Sequence, residues 1–305
     1  MTLALIIEQM LNGIQFGMVL FLMAAGLTLV FGVMGLINLA HGSLYMIGAF
    51  VCAAVAAWAG QFWLGLAAGM AAAAIAGALI EMTVLRRLYD RDHLDQVLAT
   101  FALILIATEG TKMIFGPFPL YLGLPESLTG TVDLGLAPYS RYRLALIGFG
   151  VLVALGLWLV IGRTRLGIQI RAGEADRAMI AALGVNIRAL YTIVFALGAG
   201  LAGLAGALVG AIQSVQVGMG EPVLILAFVV IVIGGIGSVR GALLGALLVG
   251  VIDTMGRFLL PRAFALILPA DQAMGVGAAL ASMLIYVLMA MVLVLRPKGL
   301  FPAHA

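Results

Sequence analysis

The sequence predicts an all-α, polytopic membrane protein with about 8–10 transmembrane helices. Of its 305 residues, 64% are hydrophobic and only 10% are charged, whereas soluble domains carry about 25% charged residues. The mean hydropathy is +1.22. Apolar runs of about 20 residues, long enough to cross a bilayer, follow one another along most of the chain. A surface this poor in charge needs lipid around it.

We expect a single transmembrane domain over residues 1–305. Nine apolar runs between polar breaks are the candidate spans: 10–32, 43–59, 63–85, 96–115, 143–161, 189–212, 222–234, 241–256 and 273–295. The runs 222–234 and 241–256 are short, so they either form a broken pair or extend into the neighbouring loops. Four prolines in 116–142 predict an irregular loop there.

Basic residues are unevenly distributed among the connections. They concentrate in 86–95, in 162–188 and in the tail from Arg296. Short loops rich in Lys and Arg face the cytoplasm, so we expect a cytoplasmic C-terminus and, with nine crossings, an external N-terminus. No Lys or Arg precedes Arg86, so the basic region of a cleavable signal peptide is missing. We expect the first apolar run to be retained.

The cytoplasmic loop 162–188 contains a candidate docking helix over 174–183. One predicted face carries Ala175, Met179 and Ala182, with Asp176 and Arg177 turned away. Gly184 supplies a C-terminal stop. Such a helix suits docking of a soluble partner. It equally suits a position on the membrane surface, with its arginines at lipid headgroups.

A second polar segment interrupts the apolar sequence near residues 34–43. Polar groups at membrane depth are costly, and irregular backbone is tolerated there only inside protein or beside a cavity. We therefore predict a broken or re-entrant segment with Asn38, His41, Gly42 and Ser43 facing the interior. These residues either line a translocation path or serve as a structural turn that caps helix ends.

Other polar features indicate structure more than chemistry. The glycine-rich 234–241 lacks the Lys-Ser/Thr and the flanking elements of a phosphate loop, so it predicts a tight turn. Glu109 and Lys112 are spaced for pairing on one helix. Glu81, Glu109 and Asp253 are expected toward the ends of their spans, which disfavours a secondary transporter or channel. No convergent catalytic set indicates a membrane-embedded enzyme, and a net charge of +3 gives no basis for nucleic-acid binding.

Four segments together resemble the permeases of the branched-chain amino acid ABC importer family, in the LivH-type subunit. They are GLTLVFGVMGLINLAHG at 26–42, the loop with RLG at 165–167, RA at 171–172, Asp176 and GVNI at 184–187, VIGGIGSVRGALLG at 232–245, and RPKGLF at 296–301. The resemblance runs from about residue 8 to 301.

The resemblance implies a non-enzymatic permease subunit in a bacterial inner membrane. Its partners would be a second homologous permease, two cytoplasmic ABC ATPases and a periplasmic binding protein that delivers hydrophobic amino acids. The partner ATPases would bind ATP and Mg, and this chain would carry no cofactor or metal. Its loop would couple to the ATPases through Arg165, Arg171, Glu174, Asp176, Arg177 and Gly184. A related permease for urea, a short amide or a sugar remains an alternative.

Overall fold

Eleven α-helices form the computed structural model, which describes residues 3–89, 91–133, 135 and 138–301. The helices are α1 (Leu3–Met34), α2 (His41–Ala59), α3 (Phe62–Thr83), α4 (His93–Phe115), α5 (Arg141–Arg163), α6 (Arg165–Ala175), α7 (Arg177–Ala182), α8 (Ile187–Gly210), α9 (Gly220–Gly234), α10 (Val239–Phe264) and α11 (Ala270–Leu295). Two short strands, β1 (Thr131–Asp133) and β2 (Pro138–Ser140), pair antiparallel between α4 and α5. Single 3₁₀ turns lie at Leu85–Arg87 and Glu126–Leu128.

The predicted fold class is confirmed. Among the described residues, eight helices are long and apolar enough to cross a membrane, and the apolar α9 is shorter. Four of the short or polar helices and strands, α6, α7, β1 and β2, lie in the connections on either side of α5. The segment between α4 and α5 is mostly irregular, as its prolines predict.

Two boundary predictions are wrong: α1 begins at Leu3 instead of near residue 10, and α10 continues to Phe264 instead of ending near residue 256. Asp253 therefore lies near the middle of its helix and not toward the end. Arg257 Nε donates to Asp253 Oδ2 at 2.9 Å, an i,i+4 pair on one helix face that favours continuation of the helix. Most of the loop predicted over 257–272 is consequently helical.

The core forms around α1 and α8. In the most apolar 18-residue stretch of each helix, 83% and 78% of the residues are buried, respectively. α1 packs against α8, α9 and α10, and α8 also packs against α2 and α3. Small residues allow close contact at these crossings: a Cβ built on Gly198 would lie 2.8 Å from the carbonyl oxygen of Gly26. The glycine-rich run 198–206 is therefore a tightly packed helix interface, the arrangement that lets membrane helices approach closely.

The chain is broken where a broken or re-entrant segment is predicted. α1 ends at Met34, Gly35 has φ +65°, and residues 35–40 are not helical. α2 then begins at His41, beside Gly26 of α1. Gly26 precedes the end of α1 by eight residues, or about 12 Å at 1.5 Å per residue. The segment thus returns into the bundle before α2 begins.

A second break separates α9 from α10. Gly235 and Gly237 have φ of +109° and +81°, so the predicted tight turn is confirmed. The C-terminal tail covers this turn: the backbone N–H groups of Leu300 and Phe301 donate to the carbonyl oxygens of Ile233 and Gly234, each at 2.9 Å.

A candidate coupling site against two broken helices

Two short helices form the candidate coupling segment, 164–184. Thr164 Oγ1 accepts from the N–H of Gly167 at 3.2 Å and caps α6. Asp176 Oδ1 accepts from the N–H of Met179 at 2.9 Å and caps α7. A single helix over 174–183 is therefore a wrong prediction. Asp176 has extended backbone angles, because its carboxylate satisfies an N–H of the next helix, the usual role of Asp at an N-cap.

The predicted apolar face of this segment is also wrong. Met179 is 60% exposed, whereas Ile180 packs into the core. The break at Asp176 changes the rotation of α7, so periodicity carried across 174–183 assigns the wrong side chains to the core. Gly184 does end α7. Gly184 has φ +86°, a conformation typical of a helix C-terminus. The N–H of Val185 donates to the carbonyl oxygen of Ile180, and the N–H of Gly184 donates to the carbonyl oxygen of Ala181.

The coupling segment contacts the bundle next to both breaks. A Cβ built on Gly32, at the end of α1, would lie 3.4 Å from Glu174 Oε1 and 3.1 Å from the Cα of Gly237. Similarly, a Cβ on Gly35 would lie 3.1 Å from Arg177 Nη2. The structure therefore brings Glu174 and Arg177 together at the end of α1, and Gly32 in turn faces Gly237 in the α9–α10 turn. The coupling segment is in direct steric contact with the first break and connects to the second through Gly32.

The other predicted coupling residues lie at the outer side of the segment. Arg165 begins α6 and is exposed. Arg171 is exposed and its Nη1 donates to the carbonyl oxygen of Ile161, which ties α6 to the last turn of α5. Asp176 and Gly184 shape the two helices, as described, without contacting the breaks. The six residues thus divide into an outer group and the inner pair Glu174 and Arg177.

Sequence reasoning missed a buried polar network beside the coupling segment. The Glu81 side chain is fully buried and accepts from Arg86 Nε and Nη2 at 3.2 and 2.9 Å. The hydroxyls of Tyr89 and Thr192 also donate to its carboxylate, each at 2.6 Å. Burial, followed by the hydrogen bond to Glu81, raises the pKa of Tyr89 well above its ordinary value, so Tyr89 remains a donor. These hydrogen bonds join α3 to the turn that carries Arg86 and Tyr89, and to α8 through Thr192.

Aromatic contacts connect this network to α7. The rings of Tyr89 and Tyr191 meet edge to face with centroids 5.2 Å apart. The guanidinium of Arg177 lies 5.8 Å from the centroid of Tyr191. Arg177 is exposed, as predicted, and its guanidinium reaches both Tyr191 and Gly35. The only sequence signal for the network is Arg86 five residues after Glu81, since Thr192 is remote along the chain.

The predicted interior residues at the first break are buried together. Asn38 and His41 have no exposed surface and Ser43 is 5% exposed. Asn38 Oδ1 accepts from the N–H of Ala40 at 3.0 Å, which shapes the turn. Among the described residues, Nδ2 of Asn38 and at least one ring nitrogen of His41 lack hydrogen-bond partners, and the backbone of Met23 is within reach of the other. Gly42 packs on the backbone of Gly220 at the start of α9.

This cluster is unusual because buried polar groups are nearly always hydrogen-bonded. Its unpaired atoms lie where α1, α2 and α9 meet, directly behind the break that Arg177 touches. Within the described ranges, which omit residues 90, 134, 136–137 and both termini, no three His, Cys, Asp or Glu side chains are grouped to hold a metal ion.

Comparison with known proteins places this architecture in a family. Residues 9–293 match the family described as branched-chain amino acid transport system / permease component. The chain is 32% identical over 267 residues to the high-affinity branched-chain amino acid transport system permease protein BraD of Pseudomonas aeruginosa, covering 82% of this chain and 86% of that protein.

Two further relatives show the same extent of similarity. LivH of Escherichia coli K12, of the same description, is 29% identical over 265 residues, covering 82% of this chain and 85% of its own. The ribose import permease protein RbsC of Escherichia coli K12 is 28% identical over 256 residues, covering 81% and 77%. The chain therefore belongs to the family of branched-chain amino acid transport permease components and is a multi-pass membrane protein with a transport, not an enzymatic, role.

Proposed function

We propose that this chain is the permease subunit of an ATP-binding-cassette importer for branched-chain or other hydrophobic amino acids. One observation carries the proposal: Glu174 and Arg177 of the coupling segment abut the first break in the helix bundle at Gly32 and Gly35, and Gly32 in turn faces Gly237 at the second break. A short amphipathic element outside the bundle, in contact with an interrupted helix inside it, suits transmission of force from a soluble partner. The names of the relatives support the solute class.

In this mechanism the energy comes from outside the chain. Two cytoplasmic ABC ATPases bind ATP and Mg, and this chain holds no cofactor. The ATPases dock on the exposed side of α6 and α7, where Arg165 lies, and Arg171 ties α6 to the end of α5. Closure of the ATPase pair displaces α6 and α7, and Glu174 and Arg177 then push on the broken segments.

The translocation path is proposed to include Asn38, His41, Gly42 and Ser43. They are buried in this structure, so transport requires α1, α2 and α9 to separate at Gly42 and its neighbours. Separation would expose the unpaired nitrogens of Asn38 and His41. These groups need bind solute only weakly, because a periplasmic binding protein supplies the selectivity.

The proposal also covers the assembly of the permease and its orientation in the membrane. A second homologous permease completes the path, and all of residues 1–305 form one transmembrane domain. Eleven of the sixteen Lys and Arg residues lie in the segments at the α6 end or adjoining them. The positive-inside rule therefore favours a cytoplasmic coupling segment and C-terminus in a bacterial inner membrane.

The first test is co-purification of the tagged chain from its native membrane in mild detergent. We expect an ATPase and a second permease-like subunit to accompany it. Isolation of a lone homo-oligomer that moves solute under an ion gradient would overturn the proposal and favour a secondary transporter.

The coupling role is tested in proteoliposomes that contain the co-purified complex. Arg177→Ala, Arg171→Glu and Asp176→Arg are expected to retain assembly but lose most solute uptake per ATP hydrolysed. Arg188→Ala is the matched control, because Arg188 is also exposed at the start of α8. Normal uptake in all three coupling variants would contradict the assigned role.

A second candidate solute is a sugar or another small neutral molecule. The similarity to RbsC, named as a ribose import permease, is the observation that favours it. Ligand screening of the binding protein that associates with the complex separates the two. Binding of leucine, isoleucine or valine supports the first proposal, and binding of a sugar alone supports the second.

A further inference from the structure

A cavity of about 920 Å³ lies between α1, α5, α6 and the turn that begins α10. α5 and α10 both pack on α1 and form its two sides. The amphipathic α6 crosses one end, where Ile170 contributes an apolar side chain. None of Asn38, His41, Gly42 and Ser43 lines this cavity, so it is separate from the proposed path.

The cavity reaches about half-way through the membrane. Its closed end is the contact of α5 with α1, where a Cβ built on Gly150 would lie 2.7 Å from the Cβ of Met18. From this contact, residues of α5 line the cavity from Val151 to Gly162. Eleven residues of helix span about 16 Å, and the hydrocarbon core of a bilayer is about 30 Å thick. The depth corresponds to one leaflet.

The walls are apolar and the α5 side faces the surroundings of the bundle. Leu155 and Trp158 line the cavity and are 53% and 48% exposed. Trp158 lies one turn from the end of α5, the level at which tryptophans mark the membrane–water interface. The guanidinium of Arg163 lies 5.9 Å from the centroid of the Trp158 ring. This arrangement fits an acyl chain beside α5 and a headgroup beyond Trp158.

The mouth of the cavity is basic. Arg171 and Arg240 line it, and Arg163 stands next to it. Arg240 is exposed and makes no hydrogen bond or ion pair with the residues that the structure describes. Glu174 is the one carboxylate among the described residues that line the mouth, and it packs against Gly32. Three guanidinium groups against one carboxylate favour an anionic ligand, as basic pockets between transmembrane helices bind anionic lipid headgroups.

We propose that this cavity binds an anionic phospholipid from the leaflet at the α6 end, with an acyl chain along α5 and the phosphate at Arg171 and Arg240. The inference does not depend on which solute the chain transports.

The test is native mass spectrometry of the full-length chain, with any subunits that co-purify, titrated with phosphatidylglycerol or phosphatidylcholine of identical acyl chains. We expect tighter binding of phosphatidylglycerol. Arg240→Gln should weaken that binding about fivefold, the effect of one basic side chain near an anionic surface, and leave phosphatidylcholine unaffected. Arg188→Gln, outside the cavity lining, should bind as the native chain does.

A second variant tests the apolar part of the site. Ala154→Phe narrows the cavity from α5 and should reduce binding of both lipids, whereas Leu152→Phe, on an exposed face of α5 outside the lining, should not. Equal binding of the two lipids by the native chain would overturn the proposal. Loss of leucine binding or of subunit association in Ala154→Phe, with unchanged lipid binding, would assign the cavity to solute or to a second copy.

Discussion

Replacing Gly48 with alanine tests whether the crossing of α2, α3 and α8 depends on direct backbone contact. A Cβ on Gly48 would lie 2.5 Å from the carbonyl oxygen and 2.7 Å from the carbonyl carbon of Gly203. A Cβ on Gly69, in α3, would collide with the carbonyl oxygen of Gly48 in turn. Backbone atoms cannot move aside by changing a rotamer, so the helices must separate.

Two opposing terms set the size of the effect. Overpacking a tight interior costs about 1–3 kcal/mol, and the upper part applies because three helices meet at Gly48. Replacing a helical glycine with alanine returns about 0.5–1 kcal/mol. We expect Gly48→Ala to destabilise the fold by about 2 kcal/mol, the difference between these terms. Gly110→Ala is the matched control, because a Cβ on Gly110 meets nothing within 4 Å.

Unfolding in mixed micelles at increasing mole fraction of SDS, followed by tryptophan fluorescence, measures both variants. Gly48→Ala should unfold at clearly lower SDS than the native chain, and Gly110→Ala at the same or higher SDS. If both alanine variants unfolded at the same mole fraction of SDS, the reasoning would be refuted. That result would show that the helix crossing accommodates a methyl group at Gly48 without loss of stability.

Three further substitutions probe polar contacts. Arg86→Leu leaves the buried Glu81 without its cation and should lower the thermal unfolding midpoint in detergent. Arg87→Leu is the control and should unfold at a clearly higher temperature, because the Arg87 guanidinium has no hydrogen bond or ion pair with the described residues. Equal midpoints for the two variants would contradict this prediction. Lys112→Gln breaks a pair with both partners well exposed, so the unfolding free energy should change by less than about 1 kcal/mol, and a larger loss would refute it. Asp176→Ala removes the N-cap of α7, worth about 0.5–2 kcal/mol; amide exchange should quicken in 177–182 and not in 165–175, and unchanged rates would exclude the cap.

Periodicity and composition predict the membrane helices well because each depends only on local sequence. The end of α10 was missed for a local reason as well. Asp253 and Arg257 resemble the polar end of a span, but their pairing four residues apart allows the helix to continue. The break at Asp176 is ambiguous in sequence, since an aspartate on the polar face of a helix and an N-cap aspartate look alike until the backbone is known.

The candidate site shows the limit of sequence reasoning. Interior positions for Asn38, His41 and Ser43 could be predicted because polar groups at membrane depth need a protein environment, and their burial confirms it. Their place in a translocation path stays a prediction. The contact of Arg177 with Gly35 and the hydrogen bond from Thr192 to Glu81 join residues from different helices. No local pattern encodes such contacts, so only the packed structure reveals them.

The tail that covers the end of α9 bears on the order in which the protein is assembled. The last carbonyl groups of α9, at Ile233 and Gly234, accept hydrogen bonds from Leu300 and Phe301, which the ribosome adds more than sixty residues later. Until then, two backbone acceptors inside the bundle lack their final donors. The hydrogen bonds that complete the α9–α10 turn can therefore form only after the C-terminal tail has been synthesised.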